Sequence, residues 1–510
     1  MIRKEAQYAV LAVVVLTLVS IPLLSPESEG YTDTVLSDGT SYTYETYGND
    51  YSTYRATIIR GSSDEPVLYI STVLEGYNVT EISAGAFSGC TAVTAAVVPE
   101  KVKTIGAGAF SGCTSLESVY FLGDAPSVAS NAFPAGVKFY RTEGSSGWSK
   151  YITSVIEQYD LASDDGSVTT YYVIGNEAMV SRGSPSPEGL VTILPAAGGY
   201  PVTSIGPYSF SGTSNTAGTD VVPRSDIMSV IIPEGVAVIR ERAFYYNAGL
   251  MTVSLPQSLT SVMDEAFRAA SSMGTVDMPG NLRYIGFESF RQCSSMKMIS
   301  IPDSTLFIGE GAFKICTDAE SIVIGENITK IAPWAFAYCR SATSIELRGN
   351  VKEIESSAFY LCDSLVKMSL PDTLTSLGSS AFFGCESLER LSLGKSLILI
   401  GSGAFSECPL LNKVCIPDTV LSISSKAFAY CSGMTDIYFE GNMPELGYSV
   451  FLNTDAVVHI KESNKNSWNG FDGELAIDKS SDGFPLIPVF AVALAVLTIA
   501  AVIVVRHITK

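Results

Sequence analysis

Nine of the ten cysteines, Cys90, Cys113, Cys293, Cys316, Cys339, Cys362, Cys385, Cys408 and Cys431, each stand three residues after a phenylalanine. Thiols so placed could pair, hold a metal, or fill a core. Their regular spacing puts them in one register with parallel side chains, and a disulfide needs Cβ vectors that face each other. We therefore read each as a small buried hydrophobe whose S–H meets a backbone group. Asn247 takes the same register in one unit, as a polar-tolerant position would allow. Cys415 departs from the pattern. It lies between Val414 and Ile416, where strand alternation turns it outward, so it is a candidate exposed thiol and intermolecular cross-linking its candidate use.

Histidine occurs only as His459 and His507. Ser-His-Asp and Cys-His chemistry needs an imidazole beside the nucleophile, and no HExxH, CxxC pair or Walker-type loop is present. Sugar cleavage by two carboxylates would need acids on adjacent strands, whereas Asp277 and Glu346 lie three units apart. We expect no enzyme, no cofactor and no metal site.

The elements that position these residues follow from the phenylalanines. Phe recurs at 244, 267, 290, 313, 336, 359, 382, 405, 428 and 451, always 23 residues on, and Phe87, Phe110 and Phe133 keep the same interval. Phe210 precedes this series by one interval plus a polar insertion. In 365–387, Leu365, Met368 and Leu370 are spaced as an inward strand face, and Pro371 removes a donor and ends the strand. Leu374 and Leu377 continue inward, Gly378 permits a turn, and "SSAFFGC" is read as a short helical or 3-10 turn whose Phe382 fills the core. No single unit buries its own apolar face; stacked units do. The expected fold is a solenoid with short parallel strands along one side.

Units such as "MISIPDSTLFIGEGAFKIC" and "LNKVCIPDTVLSISSKAFAYC" resemble the BspA-type (Treponema-type) leucine-rich repeat. The resemblance covers most of residues 67–460. It implies a leucine-rich repeat solenoid of a surface-exposed protein, with adhesion to matrix, host cells or other microbes as the associated role.

In such a solenoid the outward strand positions offer a binding face. Early in the series they are mostly hydroxyl-bearing, with Ser229, Thr252, Ser321 and Ser344 in one column. Lys367, Arg390 and Lys413 then form a cationic column beside Glu346, Ser369, Ser392 and Tyr438. Stacked like charges repel, so either acids such as Glu346 and Glu389 answer them or an anionic ligand does. The candidate ligand is a carboxylated or sulfated glycan or an acidic protein patch. Asn78 and Asn327 open the sequons "NVT" and "NIT" and are candidate glycosylation sites.

Two stretches, "YFLGDAPSVASNAFPAGVKFYRTEGSSGW" and "YFEGNMPELGYSVFLNTDAVVHIKESNKNSW", share Y-F-x-G-x-x-P and a closing tryptophan, as two end caps would. We read two solenoid modules, 40–158 and 166–478, joined at 159–165, with Trp148 and Trp468 packing the caps. Residues 8–24 follow Arg3 and Lys4, so 1–24 reads as a signal peptide or signal anchor. Phe484 to Val505 carries no charge, long enough for a transmembrane helix, and 506–510 would be the cytoplasmic tail. Cations at both ends place residues 25–483 outside the cell membrane. The formal net charge of −20 argues against nucleic acid as a partner. The reading is a membrane-anchored surface protein that binds protein or glycan; the alternative is an envelope component that self-associates laterally.

Overall fold

The computed structural model describes residues 31–478 apart from 36–39, 49–53, 152 and 215–220. The segments read as signal, transmembrane helix and tail lie outside these residues. Among the described residues no helix is long and apolar enough to cross a membrane. The chain forms two compact units. Of the described residues, one holds those up to Ile70, Tyr77–Phe139 and 145–151; the other holds Ser71–Gly76, Tyr140–Gly144 and those from Thr153 onward.

The first unit begins with antiparallel strands Tyr31–Val35, Ser41–Tyr47 and Arg55–Ser62, then continues in parallel through Tyr77–Ile82, Thr104–Ile105 and Ser127–Val128. A second parallel set joins Val67–Tyr69, Ala95–Val98 and Ser118–Phe121. Trp148 is buried against Phe121, with ring centroids 4.8 Å apart, so it closes the core as a cap.

The second unit repeats this plan over more coils. Its opening hairpin pairs Gln158–Ala162 with Val168–Ile174 and then Glu177–Ser184. Most of 159–165, read from sequence as a joint, is a strand and its turn within this hairpin, where "QYDLA" finds a partner strand. Parallel coils follow to Trp468, which is buried against Phe439 at 4.6 Å between ring centroids.

Most coils carry two strands, not one; the coil of residues 275–277 keeps only the back one, Tyr284–Ile285. The front strands, such as Lys367–Ser369 and Arg390–Ser392, pair in register. The Leu-x-x-Leu step that sequence treated as a simple return forms a second parallel sheet at the back. Lys330–Ile331, Glu353–Ile354, Ser376–Leu377, Leu399–Ile400, Ser422–Ile423 and Glu445–Leu446 pair in succession. One residue of each pair points in and one out, which a two-residue strand hides from any periodicity search.

The Ala-Phe segment takes one of the forms expected of it. It is a hydrogen-bonded turn rather than a regular helix. Residues two before and two after the phenylalanine have positive φ, as in Trp334 (58°) and Tyr338 (63°), or Lys426 (59°) and Tyr430 (62°). This alternation points every second amide at the next coil: Trp334, Phe336 and Tyr338 donate to the carbonyls of Ser356, Ala358 and Tyr360 at 3.1, 2.9 and 2.7 Å. The phenyl rings stack in a column, for example Phe313 on Phe336 at 5.4 Å and 1° between planes. The rings from Phe210 to Phe428 are fully buried, contributing roughly 1.5–3 kcal/mol per ring.

The thiols occupy the same column from the other side. Cys339 and Cys362 point Sγ at the carbonyls of Phe313 and Phe336 in the preceding coil, both at 3.5 Å. Those carbonyls take no part in the forward ladder; the Phe313 carbonyl accepts the Cys316 amide of its own turn at 3.3 Å, and the thiol of the following coil adds a second donor. Asn247 donates to Phe210 in the same way, at 3.4 Å. All ten cysteines are free, and nine are buried. Burial pushes the ladder thiols at 316, 339, 362 and 408 well up.

Candidate ligand-binding face

Front-sheet side chains alternate in and out as the strand geometry dictates. Lys367, Arg390 and Lys413 are exposed, while the residues after them, Met368, Leu391 and Val414, are buried. Lys367 stands directly beside Arg390, and Ser369 beside Ser392. Strand hydrogen bonding is interrupted on either side of this pair, since Ser344–Leu347 closes one sheet segment and Lys413–Ile416 opens the next. Lys413 continues the column and lies beside Asp436.

Opposite charges bracket the column. At one end Glu346 bonds Arg348, the residue just after its strand, at 2.9 Å. Ser344 lies beside Ser321 on the neighbouring strand. At the other end Asp436 bonds His459 at 2.7 Å, and the His459 ring stacks on Tyr438 at 4.4 Å. The Thr435 hydroxyl, together with His459 and Lys413, holds the Asp436 carboxyl below its ordinary range, against the effect of burial. His459 is a member of this face that the sequence reading left out. Carrying the alternation one strand further, into Val457–Lys461, would have placed it beside Tyr438.

Cys415 does face outward, beside Tyr438, but it is only half-exposed. Its Sγ lies 3.4 Å from Glu440 Oε1. Burial first, then the Glu440 charge, push the thiol up to about 12. A thiol so held is protonated at neutral pH and is a poor nucleophile, which argues against the cross-linking use. Both sequon amides bridge coils. Asn78 Nδ2 donates to the Tyr54 carbonyl at 3.3 Å while its Oδ1 accepts from Lys101 at 3.0 Å. Asn327 is exposed in a turn, and its Nδ2 donates to the Asp303 carbonyl at 2.7 Å.

Charge is handled differently along the turns of the early coils. Glu265 is fully buried between Arg242 (2.7 Å) and Arg268 (2.9 Å), and Glu288 continues the alternation to Arg291. Burial alone would raise the Glu265 carboxyl, but the two guanidiniums outweigh it and hold it below its ordinary range. Among the described residues no cluster suited to a metal ion occurs.

Stacked coils with paired parallel sheets and a buried Phe–Cys column define a leucine-rich repeat solenoid. The profile of the BspA type leucine rich repeat region matches in six copies over residues 70–142, 221–343 and 352–467, and the chain belongs to that family. It is similar in fold to a leucine-rich repeat protein from Bacteroides ovatus, with 22% identity over 63% of this chain and 100% of that one, at a TM-score of 0.31. A leucine rich cell surface protein from Faecalibacterium prausnitzii shares 19% identity over 87% of this chain and 98% of its own, at a TM-score of 0.29. A Treponema pallidum leucine rich repeat protein shares 20% over 46% of this chain and 87% of its own, at 0.34. No curated protein matches the chain.

Proposed function

We propose that the protein is a non-enzymatic surface receptor or adhesin that binds an anionic macromolecule, a carboxylated or sulfated glycan or an acidic protein patch, through the front face of its second unit. The carrying observation is the column Lys367–Arg390–Lys413. Its members are exposed, with Lys367 and Arg390 in register, while Glu346, one strand back on the same face, is held by Arg348. In a chain of net charge −20 a local cationic strip stands out electrostatically, and such a strip selects anionic partners by steering them in. Membership of the family supports display at the cell surface. Anchoring would come from 484–505, with residues 25–483 outside the cell.

The test is a glycan and protein array probed with residues 30–478, followed by Lys367→Glu, Arg390→Glu and Lys413→Glu together. Binding to anionic probes that disappears in the triple variant supports the reading. Probes retained by that variant at wild-type strength rule this face out.

A further inference from the structure

The Ala-Phe turns of the second unit build a polar axis. Three columns of peptide groups run along it, at the residues two before, at, and two after each phenylalanine. The first runs from Tyr208 N–H to Glu241 C=O, Arg242 to Asp264, and onward to Lys426 to Tyr448. The second runs from Phe210 to Ala243 and ends with Phe428 to Val450; the third runs from Gly212 to Tyr245 and ends with Tyr430 to Leu452. Each column can be followed through ten hydrogen bonds. The acceptor carbonyl always belongs to the same peptide group that donates to the following coil, so the peptide dipoles add head to tail as they do in an α-helix. All point the same way, with N–H towards the later coils.

The donor end emerges on the last coil. Among the described residues, the N–H groups of Ser449, Phe451 and Asn453 have no acceptor. Ser449 and Asn453 hold φ of 54° and 58°, the alternation that forms an anion-attracting concavity of amides. The rim is apolar: Tyr448 is 78% exposed and Leu452 37% exposed, and Phe451, the last ring of the stack, is only half-buried. Lys426 lies exposed one coil back, in the Ser449 register. Glu445 and Asp455 are exposed nearby in sequence, and neither bonds the row.

What fits this edge is stated by the coils behind it. Lys426, Phe428 and Tyr430 are satisfied at 3.0, 3.0 and 2.7 Å by three peptide carbonyls of one following segment. The open row is the direct continuation of that coil-to-coil interface and accepts the same chemistry. The acceptor end of another copy is a poor match, because its central residue, Ser209, is 3% exposed. The positive end of aligned dipoles adds a preference for negative charge. We propose that the row formed by the backbone amides of Ser449, Phe451 and Asn453 captures the C-terminal segment of a partner polypeptide. Two of its main-chain carbonyls and its terminal carboxylate would take the three amides, and an apolar side chain would lie over Phe451 between Tyr448 and Leu452. This site is separate from the cationic front face.

The test uses the full chain and acetyl-GSGAFS with a free carboxylate. This peptide reproduces residues 401–406, whose carbonyls at Ser402, Ala404 and Ser406 satisfy Ser380, Phe382 and Gly384 inside the stack at 2.8, 2.8 and 2.9 Å. Amide hydrogen exchange should be fast at 449, 451 and 453 in the chain alone and slow on adding the peptide. The free acid should bind about fivefold tighter than its C-terminal amide. Asn453→Asp, which sets a carboxylate beside the site, should weaken the acid more than the amide. The Lys367→Glu/Arg390→Glu/Lys413→Glu variant should bind the peptide as the wild type does. Protection of the three amides before any peptide is added would show that the chain's own residues occupy the row and would overturn the proposal. So would peptide binding that leaves them unprotected, or equal affinity for acid and amide.

Discussion

The turns of the first unit meet their two positive-φ positions with glycine: Gly85, Gly89, Gly108 and Gly112. The second unit meets the same positions with Arg242, Tyr246, Glu265, Glu288, Trp334, Tyr338, Lys426 and Tyr430, among others. A left-handed conformation costs an L-residue roughly 1 kcal/mol that glycine does not incur. The backbone path is therefore imposed by the amide ladder, not by the residue types, and glycine is the neutral solution. Where the second unit departs from glycine it gains side chains. At Arg242, Glu265 and Glu288 those side chains build a buried ion column; at Lys426 and Tyr430 they remain exposed. Charge on the turns of the early coils is buried in ion pairs, and the cationic side chains on the front face of the later coils are exposed.

The element common to both units should be the most sensitive. Phe336→Ala, in the middle of the ring stack, is expected to cost about 3–5 kcal/mol, read from the denaturant midpoint of the second unit. A loss below 1 kcal/mol would mean the rings are ornaments of the turn rather than its core. Next in size is the acid response of the ion column. A carboxyl held low by Arg242 and Arg268 gives stability that is complete above its unfolded value, near pH 4.3, and is lost as pH falls through its folded value. Unfolding followed from pH 6 downward should therefore fall more steeply in the wild type than in Glu265→Gln. Parallel curves would put the column's contribution elsewhere.

Thiol chemistry tests the buried register. A disulfide-exchange reagent at pH 8 should label the native chain slowly and at Cys415 alone, then all ten thiols after unfolding. Rapid labelling of several native thiols would contradict the stacked arrangement. The smallest effect concerns the turn itself. Ser380, at φ 55°, is half-buried and makes no side-chain bond that the stack requires, so Ser380→Gly should stabilise by about 0.5–1 kcal/mol. Tyr338→Gly at an equivalent position should gain less, because its ring packs 5.5 Å from Tyr360.

Much of this was legible in the residues. A Phe every 23 positions, with Cys three later and Pro after the strand, points to a stacked coil because one such unit is too short to bury its own apolar face. The outward register of Lys367, Arg390 and Cys415 followed from simple alternation. Three things did not follow. The back sheet uses strands of two residues, too short for a period. The turn depends on left-handed residues such as Trp334 and Lys426, whose types do not announce that conformation. Partner choice on a face depends on side-chain reach, which is why Glu346 turns to Arg348 and His459 to Asp436 without any signal in spacing alone.

The division between buried and exposed charge is tested most directly by unfolding and ligand titration on the same samples of two variants, Glu265→Gln and Lys367→Glu/Arg390→Glu/Lys413→Glu. The buried change should cost roughly 3 kcal/mol of stability and leave binding to anionic probes intact. The surface change should abolish that binding while shifting stability by less than about 1 kcal/mol. If instead the triple variant unfolds as easily as Glu265→Gln, or still binds, the front column belongs to the scaffold and the assignment of this face is wrong.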